Sequence, residues 1–600
     1  MAEVLTRNDV NVEETWNLES IYETNEAWEE EFESVKAMLP LLVEYKGRLA
    51  QTDAILFEGL QLRDEVSRRL HKLYTYAHMR YDENTADSFY QAMNDRARTL
   101  ASQIGATLAF MTPELLEVPE ETIASYLEKN PDLALYRHAF DELNREREHV
   151  LSEAEEAILA KAGEVLGQSG TTFGMLNNAD MKFPKIKGED GEETELTHGR
   201  FITFMESKDR SVREAAFKAM YGTYSQYTNT LASTLAGSIK KDNFYAEVRK
   251  FKTARESALH GNTIPEQVYD GLIEAVHEHL PLLHRYVALR KRILGVEELH
   301  VYDMYTPLVS EVEMKVTYEE AKQLMIDGLA PLGAEYKHIL EDGLAKRWVD
   351  VRETRGKRSG AYSSGAYDTQ PFILMNWQDN VNNLFTLAHE FGHSVHSYYT
   401  RQNQPYTYGD YSIFVAEVAS TTNEALLNDY LLKRVTDKNE KLYLLNNQLE
   451  TFRGTLFRQT MFAEFEHQIH EAARLGQALT PEFLTKTYYA LNETYFGDGI
   501  VLDEEIGLEW ARIPHFYYNY YVYQYATGIS AAAALTSQIL EEGQPAVDRY
   551  INNFLKAGSS DYPIEVLKAA GVDMTTKAPV EEALRQFERV LDEFEALLGE

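Results

Sequence analysis

His389-Glu390-Phe391-Gly392-His393 forms an H-E-x-x-H run, and its residue types are those of metal-assisted hydrolysis. Two histidines four residues apart lie on one face of an α-helix, so both rings can address one ion. Glu390 is rotated by roughly 100° from His389. It therefore flanks the metal instead of competing for it, where a general base belongs. The surrounding residues 376–399 read as a helix: Val381, Leu384, Phe385, Ala388, Val395 and Tyr398 recur at a spacing near 3.6, with Asp379 as the expected N-cap. The chemistry this predicts is that of a zinc peptidase.

Catalytic zinc takes three protein ligands and leaves the fourth position to water. Two residues compete for the third place. His396 shares the helix but lies seven residues after His389, about 10 Å further along the axis. Glu417 lies 24 residues after His393, in a second apolar-periodic helix beyond a loop at 401–410. An antiparallel return would carry Glu417 back onto the histidine face, with Glu424 on the same stripe placed to orient a ligand. The expected set is one Zn2+ on His389, His393 and Glu417, with His396 as the alternative ligand or as a neighbour of the metal.

The chain has no cysteine, which excludes disulfides and thiolate-held metals and leaves His, Asp and Glu as ligands. The formal net charge of −37 argues against nucleic acid and anionic membrane surfaces as partners. No apolar run approaches 18 residues, and MAEVLTRNDVNVEETW shows no basic start followed by an apolar stretch. A cytoplasmic protein is expected.

A second concentration of chemistry-bearing residues is HFYYNYYVYQY, from His515 to Tyr525, with one His and six Tyr. Much of it must be packed aromatic core. Tyr and His donors are nevertheless the groups that stabilise the tetrahedral oxyanion formed when water attacks an amide.

The elements that must position these groups are mostly helical. Residues 12–165 and 200–294 carry 3.6-spaced apolar residues, with a kink or break expected at Pro40. Gly188-Glu189-Asp190-Gly191 marks a hairpin. Residues 301–305 read as a short strand. Residues 348–367 and PFILMNW at 371–377 read as a small sheet just before the metal helix, whose edge would accept an extended peptide by backbone hydrogen bonds. Helix dominates again from 410 to 600, including residues 515–542. Two domains are expected: residues 1–200, helical and ending in the hairpin, and residues 201–600, carrying the zinc site.

HEFGHSVH, then FVAEVASTTNEALL, then HFYYNYYVYQYATG, together with TWNLESIY, GKRSGAYSSGAY and PFILMNW, resemble oligoendopeptidase F, within the thimet oligopeptidase clan of zinc peptidases. The resemblance spans nearly the whole chain. It implies a mainly α, two-lobed body with a deep substrate channel, a small sheet beside the metal helix, and cleavage of internal bonds in short oligopeptides. By position it implies His389, His393 and Glu417 as zinc ligands, Glu390 as general base and His515 as a substrate-contacting histidine. Tyr520 and Tyr523 are the expected oxyanion donors, with Tyr525 close by. The competing reading is a non-catalytic helical peptide-binding protein with a vestigial metal site.

Overall fold

Helix follows helix through residues 4–309 and 314–599, the residues described by the computed structural model. Only two small sheets interrupt them. The first is the hairpin of β1 (Lys185–Lys187) and β2 (Glu193–Glu195), antiparallel about the expected Gly-rich turn. The second has three strands in the order β3-β5-β4: β3 (Val349–Arg352) runs parallel to β5 (Phe372–Trp377), and β4 (Tyr362–Ser364) runs antiparallel on its other side. The central strand β5 is the run FILMNW, buried on both faces except at Asn376, which is why it reads as continuously apolar. The mainly α class and the small sheet ahead of the metal helix are as expected. No helix among the described residues is long and apolar enough to cross a membrane.

Two compact units emerge, and each is assembled from separated stretches of chain. The first comprises residues 1–148, 314–431 and 535–571; the second comprises 149–313, 432–534 and 572–600. The expected division at residue 200 follows chain order, and these units cut across it. Helical periodicity shows which face of a helix is apolar but not which distant segment covers that face.

In the first unit, helices Asn25–Val43, Asp53–Glu83 and Ser88–Leu108 start at Thr24, Thr52 and Asp87, whose side chains accept N–H bonds from the first turn. They close over Trp16, Trp28, Leu73 and Tyr76, and Phe372 and Leu374 of β5 join the same core. Pro40 does not divide the first helix. It sits in the last turn, where the lost N–H bond leaves only the carbonyl of exposed Lys36 to solvent.

The loop between β3 and β4 is pinned by a buried lysine. Lys357, with a fully buried side chain, reaches Asp350 Oδ1 at 2.6 Å and donates to the carbonyls of Asp350 and Arg352. Arg7 pairs with the other oxygen of the same carboxylate. Removing one partner of a buried pair strands the other charge. Lys357→Ala is therefore expected to cost about 3 kcal/mol, the low end for such pairs because Arg7 remains. Urea unfolding measures it, and an unchanged midpoint would contradict the assignment.

In the second unit, helix Thr228–Val248 packs on Gln168–Met175 and Arg458–Arg474, and Lys438–Phe452 packs on Ala578–Leu598. The strand expected at 301–305 is instead a 3-10 turn, Val301–Asp303. The buried Asp303 carboxylate accepts the His300 N–H at 2.9 Å and pairs with Arg210 and Arg213. That local capping outcompetes the β propensity of Val301 and Tyr302.

Candidate active site

Strand β5 feeds directly into helix α1 (Val381–Asn403) of the first unit. Asn380, not Asp379, is the N-cap: its side chain accepts the Asn383 N–H at 2.9 Å. Asp379 takes the corner between strand and helix, with φ 51°, and its carboxylate accepts the Trp377 indole N–H at 2.7 Å. Leu384, Leu387, Ala388, Phe391 and Val395 form the buried face of α1.

Helix α2 (Val418–Arg434) supplies the carboxylates. Glu417 sits at the break between a short helical turn, Ile413–Ala416, and α2. The two helices approach closely at Gly392. A Cβ built there would stand 2.5 Å from Ser420 Cα and 2.8 Å from the Ala419 carbonyl oxygen. The contact is locked by Asn423, fully buried on α2, which donates to the Ala388 carbonyl at 3.0 Å and accepts the Tyr336 hydroxyl at 2.9 Å.

This approach brings together three of the residues singled out in the sequence. One ligand atom each from His389, His393 and Glu417 lies within 4.8 Å of the other two. Both Nε2 atoms stand 3.3 Å from Glu417 Oε2. Two donors on a tetrahedral zinc, each about 2.1 Å from it, are separated by roughly 3.4 Å, so the set fits the ion. The donor chemistry fits too: two imidazoles and a carboxylate suit zinc.

The ring nitrogens are oriented from behind. His389 Nδ1–H donates to Glu424 Oε1 at 2.5 Å, which turns Nε2 towards Glu417. Burial alone would lower the His389 pKa, but the carboxylates of Glu417 and Glu424 override it and push it up to about 10. Burial would raise Glu417, yet the hydrogen bonds from His389 and His393 hold its carboxyl well below the usual range. Two carboxylates thus favour positive charge at this point of the helix face. Ser420 Oγ, 3.0 Å from Glu417 Oε2, adds a further donor.

Glu390 lies beside the triad, 7 % exposed. Burial pushes its carboxyl above the usual value, against the pull of His389 and His393 and a bond from the Ser363 backbone N–H. Ser363 belongs to β4, and its hydroxyl lies 2.8 Å from that of Ser394 on α1. The edge strand is therefore tied to the helix that carries Glu390. Nothing in the sequence signalled Ser363, Ser394 or Asn423; Gly392 was visible only as part of the motif.

His396 is not among the gathered ligand atoms. It is 1 % exposed and stacks on Tyr411 at 3.7 Å with 4° between the ring planes, with Phe554 at 4.9 Å. Its place is in the packing behind the site. Phe554 belongs to a π-helical turn, Tyr550–Leu555, whose Leu555 carbonyl accepts the Thr400 hydroxyl near the end of α1.

His515, Tyr520 and Tyr523 belong to the second unit. The expected helix over 515–542 begins only at Tyr523. Before it come a 3-10 turn, Pro514–Tyr517, and two consecutive left-handed residues, Asn519 (φ 44°) and Tyr520 (φ 57°). His515 is half-buried, stacked parallel to Tyr521 and edge-on to Tyr518 and Tyr525. Burial and then Arg458 hold its pKa below the usual value. Tyr520 and Tyr523 are each 2 % exposed and pack on Tyr269. The tyrosines beside His515 that are not buried are Tyr518, Tyr521 and Tyr525.

Comparison with known proteins places this geometry in context. The model described as Peptidase family M3 matches residues 203–586, and that described as Oligopeptidase F matches residues 114–183. The chain is 62 % identical to oligopeptidase PepF of Bacillus subtilis over 99 % of its own length and 88 % of that protein's. It is 47 % identical to the group B oligopeptidase PepB of Streptococcus agalactiae, over 99 % of this chain and 98 % of that one. Among solved structures it resembles oligoendopeptidase-F from Enterococcus faecium, with TM-score 0.74 and 42 % identity over 96 % of this chain and 99 % of that one.

Proposed function

The chain belongs to peptidase family M3, and from that premise we propose that it is a zinc-dependent oligoendopeptidase that hydrolyses internal bonds of short peptides. The observation that carries this reading is the convergence of His389, His393 and Glu417 within 4.8 Å, with Glu390 beside them on the same helix. These three residues would hold the ion. Zinc, when bound, supplies a Lewis acid that polarises the scissile carbonyl and eases ionisation of water near neutral pH.

The chain's own groups do the rest. Glu390 accepts the proton of the attacking water and later delivers it to the leaving amine nitrogen, a dual task suited to a carboxyl whose burial raises its proton affinity. Strand β4, the outer strand of the sheet beside β5, would present its edge to an extended peptide backbone. The family resemblance assigns donation to the oxyanion to His515 and to Tyr520 or Tyr523. Tyr520 and Tyr523 are buried, whereas Tyr521 and Tyr525 are partly exposed.

The test is incubation of the zinc-loaded protein with mixed peptides, with and without chelator, and mapping of the cut sites by mass. Internal cuts that vanish with chelator are expected. Stoichiometric zinc without any cleavage would instead favour a peptide-binding protein. Within this reading, Glu424→Ala is expected to weaken zinc binding about 10–100-fold by freeing the His389 ring. Competition with a chromophoric chelator measures it, and an unaltered affinity would remove Glu424 from the site.

A further inference from the structure

Glu466 lies on helix Arg458–Arg474 of the second unit and is fully buried. Its Oε1 accepts the Tyr520 N–H at 2.6 Å, while Oε2 has no hydrogen-bond partner among the described residues. His470, one turn further on, donates Nδ1–H to the Glu466 carbonyl at 2.8 Å, and its Nε2 faces Asp242 Oδ2 at 3.5 Å. A carboxyl with a single hydrogen bond is an expensive occupant of such an interior, where an apolar side chain would sit more cheaply. What it gains is a hold on one backbone N–H.

That N–H lies in the most constrained turn of the unit. Asn519 and Tyr520 both adopt left-handed φ values, which side-chain-bearing residues rarely take in succession. Such a pair persists only where its surroundings over-determine it. Beyond the Glu466 bond, the Tyr520 hydroxyl lies 3.2 Å from His467 Nδ1, and its ring packs on Tyr269 and His470. The turn connects the 3-10 turn bearing His515 to the helix that starts at Tyr523. Its direction fixes where His515 sits against Tyr521 and Tyr525.

We propose that Glu466 is a positioning residue for the peptidase reaction: its carboxyl group locks the left-handed Asn519–Tyr520 turn and so holds His515, Tyr521 and Tyr525 in one arrangement. The catalytic consequence rests on the zinc-peptidase reading; the lock itself does not.

The experiment compares Glu466→Gln, Glu466→Asp and Glu466→Leu, the last also combined with Asn519→Gly. Glutamine keeps an acceptor in place, aspartate withdraws it by one methylene, and leucine removes it. Glycine takes positive φ without penalty and so relieves the need for a lock. In the zinc-loaded protein acting on a quenched fluorescent peptide, the Asp and Leu variants are expected to lose kcat by about 10–100-fold, the scale of a misplaced catalytic group. KM and zinc content should change little, and hydrogen exchange over residues 515–525 should accelerate. The Gln variant should stay within about threefold of the parent, and Asn519→Gly should restore most of what the Leu variant loses.

Unaltered kcat in the Asp and Leu variants overturns the proposal. So does a Gln variant as damaged as the Leu variant, or unchanged exchange over 515–525. If circular dichroism shows that the Leu variant does not fold, the Asp variant and its exchange pattern decide. If the parent protein cleaves no peptide at all, the peptidase reading and the catalytic half of this proposal fall together, and the exchange comparison still reports on the lock.

Discussion

Glu390→Gln is expected to stop turnover while zinc and peptide both remain bound. The amide is isosteric with the carboxylate, so the Ser363 N–H keeps an acceptor and the neighbouring ligands keep their positions. What is lost is the ability to take a proton from water and return it to the leaving nitrogen. General acid–base groups contribute about 10²–10⁴-fold, and the fall in kcat should lie in that range. Metal analysis should show one zinc per chain before and after substitution, and calorimetry should show peptide binding without cleavage. Cleavage close to the parent rate would remove Glu390 from the mechanism. Loss of zinc would instead mean that the residue holds the metal site together.

The second large effect should come from a single methyl group. Gly392→Ala places a Cβ 2.5 Å from Ser420 Cα and 2.8 Å from the Ala419 carbonyl oxygen. Both are backbone atoms, so no side-chain rotation relieves the overlap and α1 must move away from α2. Alanine in a helix interior gains about 1 kcal/mol over glycine. Overpacking a tight contact costs about 1–3 kcal/mol, more where neighbours cannot yield. The clash should win by roughly 2 kcal/mol, and the separation would also draw Glu417 away from the histidines. Calorimetric Tm and zinc affinity are therefore expected to fall together. A raised Tm with undiminished zinc binding would show that the helices are not held as close as described.

Much of this was legible in residue types and spacing. His389, Glu390 and His393 were marked out by the helix period, and Glu417 by an apolar stripe that an antiparallel return would carry back to them; ligand atoms of the two histidines and Glu417 do come together. The buried strand β5 is visible as an apolar run interrupted only at Asn376. What was not legible depends on partners far away in the chain. Ser363 and Asn423 look like ordinary polar residues until the sheet edge and α2 arrive beside α1. Glu466 sits in a helix with no unusual spacing, and its role exists only because Tyr520 N–H comes to it. Residues 515–522 read as part of a helix running to residue 542, whereas the left-handed pair at Asn519 and Tyr520 is held by the Glu466 carboxylate and the rings of Tyr269 and His470. Likewise Asp379 has the type of an N-cap but is spent on the corner into α1.

The discontinuous make-up of the first unit bears on how the protein is born. Its opening stretch ends at Glu148, and its closing stretch begins at Leu535. At translation rates of about 5–20 residues per second, the ribosome needs roughly 20–80 s to bridge that interval. For part of that time, helices Asn25–Val43 and Asp53–Glu83 wait for β5 to complete the core around Trp16 and Trp28, and α1 then waits for the π-helical turn that receives Thr400. The packing behind α1 is therefore complete only once the turn Tyr550–Leu555 has been made. Nascent fragments that stop short of this turn would carry His389 and His393 on a helix whose end lacks the Thr400 anchor, and are expected to act on peptides poorly.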